Sequence, residues 1–168
     1  MIELLCIDID GTMTNGNLYY GIKDSNIFET IKVFNVKDGL GLAYWKHIGR
    51  KVAIITGRKS EILRARCEEL KIDFIFMGVE DKGTCVRKLK NDLGLDSIAC
   101  ASIGDDMNDI AMFKETSLSF APNDCANAVR NIVNIVLSKN GGSGVVREMI
   151  EIILKKEGLY EKFIEYWQ

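Results

Sequence analysis

Leu4-Leu5-Cys6-Ile7-Asp8-Ile9-Asp10-Gly11-Thr12 sets a short apolar run directly against two carboxylates and a glycine. Four uncharged residues are too few for a helix and too apolar for a surface loop, so Leu4–Ile7 reads as a buried strand that ends at Asp8. In an open sheet of parallel strands, ligands gather beyond the carboxyl ends of those strands. Asp8 and Asp10 stand at such an end. Being two apart, they share a side if the strand continues, and separate if the chain turns first.

The same arrangement recurs along the chain. Lys51-Val52-Ala53-Ile54-Ile55 runs into Thr56-Gly57-Arg58. A strand over Asp73–Met77 precedes Asp81-Lys82, and a strand over Ile98–Ile103 runs into Gly104-Asp105-Asp106-Met107-Asn108-Asp109. Helical spacing falls between them, over Val36–His47, Ser60–Leu70, Lys82–Leu93, Asn108–Phe113 and Val145–Lys156. Late strands are expected at Leu118–Ala121 and Ile132–Val136, with a helix around Cys125–Arg130 between them. Leu18–Gly21 and Ile27–Ile31 flank the polar stretch Lys23–Asn26, which predicts a β-hairpin over about 17–32 with Gly21 near its turn. Alternating strands and helices predict an α/β fold, a Rossmann-like, doubly wound and mostly parallel sheet covered on both faces. No repeat and no linker-like tract divides the chain, so 1–168 reads as one domain.

Composition narrows the function. A net charge of −2 lacks the basic footprint of a nucleic-acid binder. No apolar run is long enough to span a membrane, and the charged start of the chain does not read as a signal peptide. Five cysteines without a Cys-x-x-Cys pair suit a reducing cytoplasm. One histidine, His47, leaves no histidine dyad or cluster.

The strand-end residues suit phosphoryl chemistry. A carboxylate can attack phosphorus and form an acyl phosphate, and a second can protonate the leaving alcohol and later deprotonate water. Gly11 lets the following backbone curl its N–H groups toward an anion. Carboxylates repel phosphate, so the site needs positive charge. Asp8 and Asp105 suit a hard cation such as Mg²⁺. Lys82 offers a point charge, and Thr56 a hydroxyl, to the phosphoryl oxygens.

Asp-x-Asp-Gly-Thr, a strand ending in Thr, a later Lys and Gly-Asp-Asp-x-x-Asp resemble, in order, the four motifs of the haloacid dehalogenase superfamily. Asp10–Gly16, Tyr19-Tyr20-Gly21, Val36–Gly41, Ile54–Arg58 and Gly141–Glu148 narrow the likeness to the capless 3-deoxy-D-manno-octulosonate 8-phosphate (KDO 8-phosphate) phosphatases. The resemblance implies Asp8 as nucleophile, Asp10 as general acid and base, and Thr56 and Lys82 as phosphoryl ligands. It implies Mg²⁺ held by Asp8, the Asp10 backbone carbonyl and Asp105, with Asp109 behind them. It also implies a homotetramer built through the hairpins, in which a neighbour helps close each site, and a place in lipopolysaccharide precursor synthesis. The family more often carries Val where Thr12 stands and Asp where Asn15 stands. Relatives acting on nine-carbon 9-phosphates, of sialic-acid-like sugars such as KDN or N-acetylneuraminate, carry Glu at the position of Arg58 and Lys at that of Glu69. The reversed charges here favour the eight-carbon sugar acid phosphate as substrate. Related domains that serve only to hold tetramers together tend to lose motif residues, whereas Asp8, Asp10, Lys82 and Asp105 are all present.

Several residues carry two readings. Arg58, next to Gly57, is either a clamp for a substrate carboxylate or a helix-start residue. Arg66 is a second substrate-binding candidate or a solvated helix position. Asp106 either pairs with Lys82 or favours the following helix N-terminus. Gly141–Gly144 is a loop over the site or a connection. The tail from about 158 to 168 has large apolar groups at helical spacing, and docking on a neighbouring subunit is preferred over docking on its own core.

Overall fold

The computed structural model describes residues 1–168. In chain order the elements are β1 (Leu4–Ile7), β2 (Tyr19–Lys23), β3 (Asn26–Ile31), α1 (Val36–His47), β4 (Lys51–Thr56), α2 (Glu61–Glu69), β5 (Phe74–Met77), α3 (Lys82–Leu93), β6 (Cys100–Ile103), α4 (Ile110–Phe113), β7 (Leu118–Ala121), α5 (Asn127–Arg130), β8 (Ile135–Val136), α6 (Val145–Lys156) and α7 (Tyr160–Glu165). Six strands form one parallel sheet in the order β5-β4-β1-β6-β7-β8. β1 is central and the chain departs from it first to one side and then to the other, which is the geometry that opens a crevice at the carboxyl ends of the strands.

Strand alternation divides the core between two faces. Leu5 and Ile7 of β1 join Val52 and Ile54 of β4 against Leu42 and Trp45 of α1, Leu63 of α2 and Met149, Ile150 and Ile153 of α6. Leu4 and Cys6 face the other way with Ala53 and Ile55, against Val86 and Leu89 of α3, Met112 and Phe113 of α4, and Val129 of α5. Burial on both faces explains why β1 reads as continuous apolar sequence rather than alternating.

The hairpin β2–β3 stands apart as its own antiparallel sheet. Its turn is Asp24-Ser25, both with positive φ, which is the mirror-image turn that matches strand twist. Gly21 is therefore not at the turn. It pairs with Phe28 within the ladder, where a Cβ would press on Thr30 and the Phe28 ring.

Several expected elements are shorter than the sequence pattern, and three of them have a clear local cause. The last strand begins at Ile135, because the N–H groups of Ile132 and Val133 bond back to the Val129 carbonyl and continue the turn of α5. The Asn134 side chain then accepts from Ser119 N–H and Oγ in place of a ladder bond. β6 begins at Cys100 because Ser97–Ala99 forms a tight helical turn. A similar turn at Met107–Asp109 takes the place of the first residues of the helix expected from Asn108. The tail departs from expectation in placement. Phe163 of α7 is buried in this chain's own core, edge-on to Tyr44 at 4.9 Å, with the Arg147 guanidinium 4.4 Å above its ring. Leu159 and Tyr160 pack beside it and the Tyr166 ring lies 4.3 Å from that of His47, while Ile164 and Trp167 stay exposed. No helix is long and apolar enough to cross a membrane.

Candidate active site

Asp8 leaves β1 still extended, its N–H bonded to the Ile103 carbonyl of β6. The chain then turns sharply over Ile9–Met13, with Gly11 at φ +101°. At that point Gly11 lies against Asp105, and a Cβ there would overlap the Asp105 carboxylate, so only glycine fits. The turn sends the Asp8 and Asp10 side chains in different directions. Asp8 faces Lys82, Asp105 and Asp109, whereas Asp10 faces Lys32, Thr56 and Arg58.

Lys82 is the first residue of α3, whose N-cap is Asp81, bonded to Thr84 N–H at 3.0 Å. Side chains at a helix start point back past the N-terminus. Lys82 is thus carried into the crevice, 1% exposed, where its ammonium donates to Asp8 Oδ1 and to Asp109 Oδ1 at 2.6 Å. Asp109 in turn accepts the N–H groups of Asp105 and Asp106 on its second oxygen, at 3.0 and 3.2 Å. Asp109 therefore braces both Lys82 and the strand-end turn. Asp106 caps that turn by accepting from Met107 N–H at 2.7 Å, which decides between its two readings: it supports the helix start and does not pair with Lys82.

Three carboxylates share this corner with one lysine. Oxygens of Asp8, Asp105 and Asp109 lie within 4.8 Å of one another. Burial, then the neighbouring Asp109 and Asp105, push the Asp8 carboxyl well above its usual range despite Lys82. Burial and the Asp109 charge push Asp105 up to about 6, against hydrogen bonds that favour its ionised form. Burial pulls the Lys82 ammonium down, but Asp8 and Asp109 outweigh it and its pKa rises. An all-oxygen donor set carrying excess negative charge suits a hard divalent cation. Thr12 also reaches this corner, donating to Asp105 Oδ1 at 3.2 Å, a bond that Val in its place could not make.

The other expected residues divide into two groups. Thr56, at the end of β4, bonds Asp10 Oδ2 at 3.5 Å and accepts Arg58 N–H at 3.2 Å across Gly57. The Arg58 guanidinium lies 4.0 Å from Asp10 and donates to the Tyr20 hydroxyl of the hairpin at 2.9 Å. Arg66 is not brought into this group. It pairs with Glu69 at 2.7 Å and stands over Phe34, where the next turns of α2 have carried it away from the strand end. A cavity of about 590 Å³ lined by Tyr44, Arg50 and Leu95 holds none of these residues, so cavity size does not mark this site.

Sequence reading missed Lys32, just after β3. It is nearly buried, and its ammonium meets Asp10 Oδ1 and lies 3.2 Å from Glu29. An isolated lysine beyond a surface hairpin carries no local signal for that contact. Gly141–Gly144 proves to be neither a loop over the site nor a bare connection. Gly142 N–H bonds the Thr12 carbonyl at 2.8 Å, Gly141 N–H bonds Asp124, and a Cβ at 141 would overlap the Gly11 carbonyl. The loop clamps the turn that carries Asp10. Arg147 is occupied by Glu151 and Phe163.

Residues 75–149 match the family of haloacid dehalogenase-like hydrolases. The 3-deoxy-D-manno-octulosonate 8-phosphate phosphatase KdsC of Haemophilus influenzae is 40% identical over 143 residues, which cover 85% of this chain and 77% of that protein. KdsC of Escherichia coli K12 is 33% identical over 145 residues, covering 86% and 75%. The crystal structure of the Moraxella catarrhalis 3-deoxy-D-manno-octulosonate 8-phosphate phosphatase, in complex with magnesium, phosphate and KDO, matches with a TM-score of 0.92 at 36% identity, over 99% of this chain and 94% of that one. A cobalt-bound phosphatase from H. influenzae matches with a TM-score of 0.88 at 38% identity, over 95% and 91%. Since the likeness runs through the central sheet, the hairpin and the strand-end turns together, the chain belongs to the 3-deoxy-D-manno-octulosonate 8-phosphate phosphatases of the haloacid dehalogenase-like hydrolases.

Proposed function

We propose that this protein is a Mg²⁺-dependent phosphatase that hydrolyses 3-deoxy-D-manno-octulosonate 8-phosphate to the free sugar acid and orthophosphate. One observation carries the reading: two carboxylates from adjacent turns of chain occupy separate surroundings, Asp8 among acids with Lys82 and Asp10 among donors only. A cation held at the acidic corner would favour the ionised form of Asp8 and so leave it to attack, while Asp10, outside that corner and beside Thr56, is left to move the proton. The Asp8 oxygen that Lys82 does not hold attacks phosphorus. The ester P–O bond breaks, and Asp10 gives its proton to the leaving alkoxide. Water then attacks the aspartyl phosphate, returns a proton to Asp10, and the bond to Asp8 breaks as orthophosphate leaves. Lys82 and Thr56 hold the phosphoryl oxygens. Asp8, the Asp10 carbonyl and Asp105 would hold Mg²⁺, which would supply the positive charge that lets an anionic phosphoryl group approach a carboxylate. Arg58 meets the carboxylate of the sugar acid, with Gly57 lining the approach. The five free cysteines fit action in a cytoplasm, within lipopolysaccharide precursor synthesis.

Phosphate release from the 8-phosphate and from nine-carbon 9-phosphates, with Mg²⁺ or with EDTA, tests this. The expected result is metal-dependent release with the higher kcat/KM on the 8-phosphate. Faster turnover of a 9-phosphate transfers the assignment to that substrate, and no metal-dependent release from any sugar phosphate leaves only an assembly role.

Metal binding should also be visible without turnover. A carboxyl whose folded pKa is raised stabilises the fold below its unfolded pKa, near 3.9, and loses that contribution as pH rises through its folded value. Asp105 does so up to about 6. A bound cation removes the repulsion only once the carboxyls are ionised. Mg²⁺ is therefore expected to raise Tm more at pH 8 than at pH 5. Equal shifts at both pH values in scanning fluorimetry would count against the acidic corner as the metal site.

The hairpin supports a homotetramer. Ile22 and Ile27, paired across it, are 76% and 71% exposed, and Tyr20, Phe28 and Ile31 are exposed beside them. A lone two-stranded hairpin is marginal in water, and apolar side chains displayed on it call for partner copies. Ile22→Glu with Ile27→Glu is expected to yield monomers in sedimentation velocity, where a persisting tetramer would place the assembly elsewhere.

A further inference from the structure

Resting on the reading above, we propose that Lys32 is a positioning residue that fixes the Asp10 carboxylate so that its second oxygen meets the leaving group. The Asp10 side chain springs from a turn, not from a strand or helix, and Gly11 follows it at positive φ. Local structure does not hold that carboxylate. Its two oxygens are also treated unequally. Lys32 takes Oδ1, while Oδ2 has only Thr56 at 3.5 Å and the half-exposed Arg58 at 4.0 Å. Oδ1 is thus tied down, and Oδ2 is the oxygen with room for a proton and an approaching ester oxygen.

Lys32 is itself held. Its side chain is 3% exposed, and Glu29 lies 3.2 Å from its ammonium. Glu29 accepts from the hydroxyl of Ser60, and Ser60 accepts from Leu63 N–H at 3.1 Å as the N-cap of α2. A continuous chain of contacts therefore runs from the start of α2, through the base of the hairpin, to Asp10. Proton transfer requires a donor within about 2.6–3.2 Å of the receiving atom, and a misplacement of about 1 Å can cost about 100-fold. An anchored lysine on one oxygen supplies that placement. The ion pair Lys82–Asp8 serves the other carboxylate, so the two acids are held by separate lysines from separate parts of the chain.

The leaving group separates this role from a merely structural one. A sugar alkoxide needs a proton as it departs, whereas 4-nitrophenolate leaves as a stable anion. Phosphorylation of the full-length protein is followed in single turnovers with saturating Mg²⁺, for a sugar phosphate and for 4-nitrophenyl phosphate. Lys32→Met, which keeps the buried stem, is expected to slow departure of the sugar about 100-fold and of 4-nitrophenolate less than about 5-fold. Lys32→Arg should recover part of the sugar rate. Glu29→Gln, which loosens Lys32, should show the same bias in smaller measure and serves if Lys32→Met does not fold. Equal slowing with both esters, or no slowing, overturns the proposal. A wild-type protein that cleaves neither ester with Mg²⁺ overturns the phosphatase reading itself.

Discussion

Asp8→Asn is expected to abolish turnover while raising the melting temperature of the metal-free protein. The loss follows from chemistry: an amide oxygen does not form the acyl phosphate, and removal of a nucleophile that works with its partners as a unit costs about 10⁴-fold or more in kcat. The gain follows from electrostatics. Asp8 is 4% exposed, and its carboxyl is pushed well above its usual range by burial and by Asp109 and Asp105. Asparagine keeps the shape and removes one of three crowded negative charges, while Lys82 still has Asp109. About 1 kcal/mol of relief corresponds to a Tm rise of about 2–4 °C for a chain of this length. Mg²⁺ should stabilise the variant less than the wild type, because one ligand charge is gone. Phosphate release and paired melts in Mg²⁺ and EDTA measure all three effects. Turnover within tenfold of wild type would falsify the assignment of Asp8, and a lower Tm in EDTA would refute the account of the acidic corner.

Lys82→Met should act in the opposite sense on stability. Methionine matches the buried stem but leaves Asp8 and Asp109 in the crevice with no counter-charge. Removing one partner of a buried ion pair costs about 3–5 kcal/mol, here a Tm drop on the order of 10 °C in EDTA. Turnover should fall by about 10²–10³-fold through the loss of a charge on the phosphoryl oxygens. Mg²⁺ should narrow the stability deficit, since it opposes the same carboxylates, without restoring kcat. A Lys82→Met protein as stable as wild type in EDTA would show that Lys82 is not the counter-charge of this corner. The double variant Asp8→Asn with Lys82→Met should be more stable than the sum of the singles, and a thermodynamic cycle reads that coupling directly.

These opposed effects at two touching residues express one design. The site stores repulsion that a cation and a phosphoryl group are built to relieve, and the fold carries the cost because the Lys82–Asp109 contact and the Asp109 bonds to backbone N–H groups hold the corner together.

Much of this was legible in the residues themselves. Leu4–Ile7 and Lys51–Thr56 are strands because short apolar runs bounded by polar turn residues have few other ways to be buried, and each run ends at the residue that bears the chemistry. Lys82 was legible as the residue that follows the third strand and opens a helix, and the structure adds the Asp81 cap that aims it back toward the strand ends. Where the pattern misled, a local competitor won. Ile132-Val133 is apolar enough for a strand, but the turn after α5 took its N–H groups and Asn134 took the place of a ladder bond. Gly21 looked like a turn residue, but Asp24 and Ser25 accepted positive φ instead.

The sequence by itself determined the α/β order, the strand ends at which Asp8, Thr56, Lys82 and Asp105 stand, and the oxygen-rich chemistry they offer. These depend on neighbours along the chain, through apolar periodicity, capping and the freedom of Gly11. Only the tertiary structure decided which cation meets which carboxylate. Lys32 reaches Asp10 across 22 positions, Lys82 reaches Asp8 across 74, and Asp109, not Asp106, takes the other side of Lys82. The physical reason is that a charge fixes no partner of its own. A lysine pairs with whatever acid the packed sheet, the hairpin base and the helix ends set within a few ångströms of it, and those distances exist only once the chain has closed.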